Sequence, residues 1–181
     1  MELTPSFDEF AARFDAGENQ IVYTRLSADL DTPVTLMLKL TGAGKDTFML
    51  DSVTGGEVRG RYSIIGMKPD LIWQCHGTSA RVNRAARFDD NAWAEEACDP
   101  LTSLRSLIAE SRIDLPEDLP AASAGIFGYL GYDMIRLVEH LPDVNPDPLG
   151  LPDAVMMRPS VIAVLDGAKS EVIIVSPAYV G

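Results

Sequence analysis

Hydrophobic and polar positions along this chain change period several times, and each change predicts an element. Phe7, Phe10, Ala11 and Phe14 recur at helical spacing behind Thr4-Pro5, which predicts an N-cap with proline at the first helical position. Gly17 is expected to end that helix, and its apolar stripe to pack into the core. Residues 20–26 and 33–40 alternate instead, the second within VTLMLKL, and predict strands. Residues 47–66, TFMLDSVTGGEVRGRYSIIG, predict a hairpin turning at Gly55-Gly56. Residues 70–75 and 78–83 predict a second one, turning at His76-Gly77.

Residues 85–99 are polar and irregular apart from Trp93. Asp99-Pro100 then opens a helix with Leu101, Leu104, Leu107 and Ile108 on its buried face. Prolines set a loop over residues 115–122. GIFGYLGYD (125–133) precedes MIRLVEHL, which has helical character, with His140 at the end where a cation complements the helix dipole. The proline-rich residues 141–153 can hold neither helix nor interior strand. Residues 154–165 and 171–176 predict a last hairpin about Asp166-Gly167. Strands that follow one another as hairpins predict an α+β fold, mainly antiparallel sheet with a few packed helices.

Composition narrows the function classes. At 181 residues, 46% apolar and 23% charged, the chain is expected to form one globular domain over residues 1–181. A formal charge of −12 opposes nucleic acid or an anionic membrane as partner. With no leader segment and no apolar run of membrane-spanning length, a soluble cytoplasmic protein is expected.

Catalytic chemistry is hard to assemble from these residues. Cys75 and Cys98 lack the spacing of a disulfide framework or zinc site. Cys75-His76, adjacent on a strand, would point to opposite faces, so a structural role is expected. Gly125-x-x-Gly128-x-x-Gly131 has neither a P-loop ending nor dinucleotide spacing, and predicts close backbone packing. The pairs Asp89-Asp90 and Glu95-Glu96 are expected to be solvated.

The first hairpin carries the one suggestive constellation. Asp51 could meet an ammonium, Arg61 a carboxylate, and Ser52 could fix the angle of a bound zwitterion. The same residues would equally end an ordinary charged hairpin, and side-chain chemistry alone leaves both readings open.

Three segments in register, TPVTLMLKL (32–40), FMLDSVTGGEVRGRYSIIG (48–66) and AGIFGYLGYDMIRLVEHLP (124–142), resemble the amino-terminal region of anthranilate synthase component I. The likeness extends from about Tyr23 through the last hairpin. The resemblance implies an enzyme that converts chorismate, with glutamine-derived ammonia, to anthranilate and pyruvate in tryptophan synthesis. It implies Mg2+ bound in a carboxy-terminal catalytic domain that is absent from this chain, with no cofactor and no catalytic residue in the chain itself. This polypeptide alone is therefore expected to be inactive. Implied partners are tryptophan as feedback inhibitor, a glutamine amidotransferase subunit, and the carboxy-terminal domain.

In that family Leu-Leu-Glu-Ser belongs to the tryptophan site, and Met49-Leu50-Asp51-Ser52 matches it here. The resemblance thus makes Ser52, Asp51 and Arg61 the expected effector-binding residues. Asp51 stands where the family has glutamate and reaches about 1.3 Å less far. The related aminodeoxychorismate synthase of folate synthesis is the nearest alternative, and a free-standing amino-acid-sensing module a more distant one.

Overall fold

The structure, a computed structural model, describes residues 2–42, 44–51, 60–142 and 146–180. Among these, three α-helices accompany an eight-stranded sheet: α1 (Phe7–Asp15), β1 (Gln20–Ser27), α2 (Pro33–Thr41), β2 (Phe48–Leu50), β3 (Tyr62–His76), β4 (Ser79–Asn83), β5 (Trp93–Glu95), α3 (Pro100–Glu110), β6 (Phe127–Leu130), β7 (Ala154–Asp166) and β8 (Glu171–Ala178). The sheet runs β1-β8-β7-β3-β4-β5, with β2 also pairing β3 and β6 also pairing β7. The expected antiparallel α+β architecture is what forms.

The chain divides into two compact units. The first comprises residues 1–69, 112–125 and 159–181. Its core joins Ala28, Leu36, Ile65, Met67, Ala163, Leu165 and Val172. The second comprises residues 70–111 and 126–158. There Leu71, Trp73, Cys75, Ala80, Val82, Leu104, Leu107 and Ala154 are buried together. The odd-numbered positions of β3 at 71, 73 and 75 supply one face of that core, as strand alternation requires.

Local chemistry corrects two expected elements. Residues 33–40 form helix α2, not a strand. Thr32 and Thr35 close a reciprocal capping box, Thr35 N donating to Thr32 Oγ1 (3.2 Å) and Thr32 N to Thr35 Oγ1 (2.8 Å), and Pro33 fits the first helical position. Those signals, with helix-favouring Leu, Met and Lys, outweigh the alternation, and only Leu36 becomes buried.

The first helix begins two residues later than expected. Thr4 is occupied in a backbone bridge to Tyr23 (2.9 and 2.8 Å), and Ser6 caps through its box with Glu9. None of the residues of α1 is buried: Phe10 and Ala11 are half-buried and Phe7 is 81% exposed, so the stripe expected in the core is only partly covered. A helix nucleated by its own cap need not have its apolar face covered.

Other expectations stand or shift slightly. Asp99 caps α3 through Leu101 N (3.1 Å) and Thr102 N (3.0 Å). Leu104 and Leu107 are buried, but Ile108 is 45% exposed and Leu101 only half-buried. The supposedly irregular stretch contains β5, paired to β4. The helical character after residue 131 is a 3-10 helix, Tyr132–Leu137, so His140 lies beyond its end.

Candidate functional site

The two ends of the opening hairpin are held differently. Phe48 pairs with Gly66, Met49 with Ile65 and Leu50 with Ile64, so Asp51 comes one step beyond the ladder, beside Ser63. Ser63 Oγ donates to Asp51 Oδ1 at 2.5 Å. Asp51 is exposed while Ser63 is buried, and the bond ties the carboxylate to the neighbouring strand. Ser52 and Gly55-Gly56 lie outside the described residues.

Arg61 is clamped from another direction. Its Nε and Nη2 donate to Asp166 Oδ1 and Oδ2 at 2.8 and 2.6 Å, a two-point pairing suited to a guanidinium. Gly167 N donates to the Arg61 carbonyl at 2.9 Å, and the guanidinium lies 4.9 Å from the Tyr62 ring centre. The structure therefore gives Asp51 and Arg61 separate partners. Arg61 Nη1 makes no hydrogen bond among the described residues. Sequence reasoning treated Asp166 only as a turn residue. Arg61 was read as meeting a ligand carboxylate, and nothing local linked it to Asp166.

Asp166, with a side chain only 2% exposed, has its carboxyl held below the ordinary range. The Arg61 hydrogen bond is the largest cause, opposed by burial and aided by the Ala168 amide. A depressed folded-state value stabilises the fold fully above the ordinary carboxylate range, near pH 4, and is lost as pH falls through that value. Asp166→Asn should thus lower the melting temperature at neutral pH. The gap from wild type should close in melting curves taken below about pH 4. A constant gap across that range would contradict the assignment.

The remaining groups offer little catalysis. Cys75 is buried, its thiol donates to the Gly77 carbonyl (3.5 Å), and burial followed by the Asp153 charge pushes its pKa up. It is a structural cysteine, as expected. Gly128 and Gly131 do serve close packing, but Gly125 does not: nothing lies within 4 Å of a Cβ added there, and its φ is 129°. A Cβ on Gly128 would run into the Val155 carbonyl, and one on Gly131 would lie 2.7 Å from the Asp153 oxygen that its own amide already meets. The first unit also holds an open cavity of about 330 Å³ lined by Pro5, Arg13, Gln20, Tyr23, Asp114 and Leu115 among others. No group of three or more His, Cys, Asp or Glu among the described residues could hold a metal ion. No helix of the described residues is long and apolar enough to cross a membrane.

No protein-family profile matches the chain. Among curated proteins it is 70% identical over 175 residues to anthranilate synthase component 1 of Cereibacter sphaeroides, covering 97% of this chain and 35% of that protein. It is 34% identical over 180 residues to the Pseudomonas putida protein of the same name, covering 94% and 35%. For that of Thermus thermophilus the identity is 35% over 150 residues, covering 83% and 30%. The chain spans about a third of the length of these relatives. The crystal structure of anthranilate synthase component I from Streptococcus pneumoniae shares the fold, with a TM-score of 0.51 at 22% identity, covering 82% of this chain and 30% of that one. Identity at this level along nearly the whole chain is homology, and the chain belongs to the anthranilate synthase component 1 family, corresponding to its amino-terminal region.

Proposed function

We propose that this chain is the amino-terminal, regulatory part of an anthranilate synthase component 1. The whole protein would convert chorismate and glutamine-derived ammonia to anthranilate and pyruvate in the cytoplasm, with a glutamine amidotransferase subunit as partner. The observation carrying this reading is the 70% identity to the Cereibacter sphaeroides protein over 97% of the chain. The described residues do not fit a magnesium site, so in this reading the ion belongs to the part of the relatives that this chain does not span.

Within that role the hairpin end is the tryptophan feedback site. Ser52 is its polar anchor, Asp51 faces the ammonium, and Arg61 offers its remaining edge to the carboxylate. The Ser63–Asp51 and Asp166–Arg61 bonds support this, because each fixes a charged group before a ligand arrives and lowers the ordering cost of binding.

Chorismate turnover by the whole protein, assayed with its amidotransferase and rising tryptophan, tests the reading. Ser52→Ala should raise the tryptophan needed for half-inhibition by about tenfold, within the 1–3 kcal/mol typical of allosteric coupling. Uninhibited turnover should change far less. Unchanged inhibition would remove Ser52 from the effector site, and a parallel fall in turnover would make it structural or catalytic instead. Absence of anthranilate among the products would overturn the broader reading.

A further inference from the structure

Four segments of the first unit line the cavity of about 330 Å³. Thr4 and Pro5 come from the chain before α1, and Arg13 from the last turn of that helix. Gln20, Ile21 and Tyr23 belong to β1, and Asp114, Leu115 and Pro116 to the loop after α3. Each of these walls is tied to a neighbour. Thr4 is bridged to Tyr23, and Gln20, 2% exposed, donates through Nε2 to the Phe10 carbonyl at 2.8 Å. Asn19 Nδ2 donates to the Arg112 carbonyl, and the Tyr23 hydroxyl to Asp118 Oδ2, each at 3.2 Å, so the loop is held beside β1. A cavity framed in this way exists before any ligand arrives, which keeps the ordering cost of binding low.

The lining combines apolar surface with one unmatched charge. Pro5, Ile21, Leu115, Pro116 and the Tyr23 ring supply the apolar part. Arg13 is already paired through Nε with Glu18 at 2.9 Å. Arg25, 5.8 Å from the Tyr23 ring centre, is neutralised by Glu171 (2.7 Å) and Asp118 (3.1 Å). Asp114 is exposed and has neither a hydrogen bond nor an ion pair among the described residues. The charge left to be met at this cavity is therefore negative, in a chain whose net charge of −12 also attracts cations. The volume is at the small end of the range for ligand pockets, and a mostly apolar wall with few polar groups is their usual composition.

We propose that this cavity binds a small apolar monoamine in its protonated form. The ammonium meets Asp114, and the hydrocarbon part packs against Tyr23, Ile21 and Leu115. A zwitterionic amino acid fits less well, because its carboxylate would have to compete with Glu18 for Arg13. The site is additional to the hairpin end and does not depend on the family reading.

The test titrates the 181-residue chain, labelled with nitrogen-15, at neutral pH with 2-phenylethylamine, with the neutral 2-phenylethanol, and with phenylalanine. The amine should shift the amide signals of Tyr23 and Leu115 saturably, with half-saturation at or below about 1 mM. The alcohol, alike in size but uncharged, should bind about three- to fivefold more weakly, the upper range for an exposed ion pair. Asp114→Asn should remove that difference and leave the binding of the alcohol unchanged. Leu115→Trp should fill the cavity and abolish binding of both. If that variant loses its dispersed spectrum, the decision rests on Asp114→Asn, which alters an exposed side chain without partners and leaves the fold intact. Absence of saturable shifts at the cavity overturns the proposal, as does equal affinity for amine and alcohol in the unaltered chain. A preference for the amine that survives Asp114→Asn, or binding that survives Leu115→Trp in a folded chain, overturns the placement. Phenylalanine should bind more weakly than the amine, and tighter binding would replace the monoamine by an amino acid held between Asp114 and Arg13.

Discussion

Trp73→Ala should cost about 3–5 kcal/mol of stability, the range for deleting a large buried aromatic. Trp73 is 1% exposed and lies at the centre of a core with Leu71, Cys75, Leu104 and Leu107, so its removal leaves a cavity lined by strand and helix together. Its indole Nε1 also donates to Ser103 Oγ at 2.8 Å, and that hydroxyl donates on to Glu96 Oε2 at 2.8 Å. Truncation therefore removes packing from β3 against α3 and leaves the buried Ser103 oxygen without its donor. Trp73→Phe separates the two contributions. It keeps most of the volume and should cost far less, about 1 kcal/mol for the hydrogen bond and a further amount for the smaller ring. Urea unfolding of the three proteins measures both. A loss under about 1 kcal/mol for alanine would mean that the core collapses around the missing ring.

Gly128→Val should be the other severe change, reaching or exceeding the roughly 3 kcal/mol upper end of ordinary overpacking. The reason is the identity of the neighbour. The new Cβ would overlap the carbonyl of Val155, and backbone within a hydrogen-bonded ladder cannot turn aside as a long side chain can. Relief requires β6 to move off β7, breaking the pairs from Phe127–Met157 to Leu130–Ala154. Amide exchange over residues 127–130 should accelerate together with the fall in melting temperature. Exchange as slow as wild type would show that β7 accommodates the branch. Gly77→Ala is a useful contrast, since nothing lies within 4 Å of its added Cβ and its cost is the positive φ of 55° alone.

How much of this was legible in the chain differs from element to element. The final hairpin and β3–β4 were readable because apolar alternation and an Asp-Gly or His-Gly turn agreed. At residues 33–40 two local signals disagreed. Alternation said strand, while Thr-Pro-x-Thr said helix start, and the reciprocal threonine cap prevailed. At α1 the helix was legible but its environment was not: periodicity tells which residues share a face and not whether anything covers it. The exposed Phe7 is the consequence.

The site shows the same division. Asp51 and Arg61 stood out in sequence as charges at the ends of a hairpin, and motif resemblance linked them to Ser52. Neither of the partners that the structure gives them was legible. Ser63 meets Asp51 only because β2 and β3 pair in the register that sets Leu50 opposite Ile64. Asp166 meets Arg61 from a turn more than a hundred positions away in the chain. Long-range pairs of this kind depend on which strands become neighbours, and no local propensity encodes that order.

By itself, then, the sequence determined the fold class, most of the strands, the cap that starts α3, the glycines that allow β6 to approach β7, and the family. Those follow from period, cap chemistry and side-chain size, all of which act over a few residues. Only the tertiary structure decided that Asp51 meets Ser63, that Arg61 is held by Asp166, and that Phe7 of α1 stays exposed. Each of those outcomes depends on which distant surfaces meet, because burial and hydrogen-bond satisfaction are properties of the folded neighbourhood and not of the local chain.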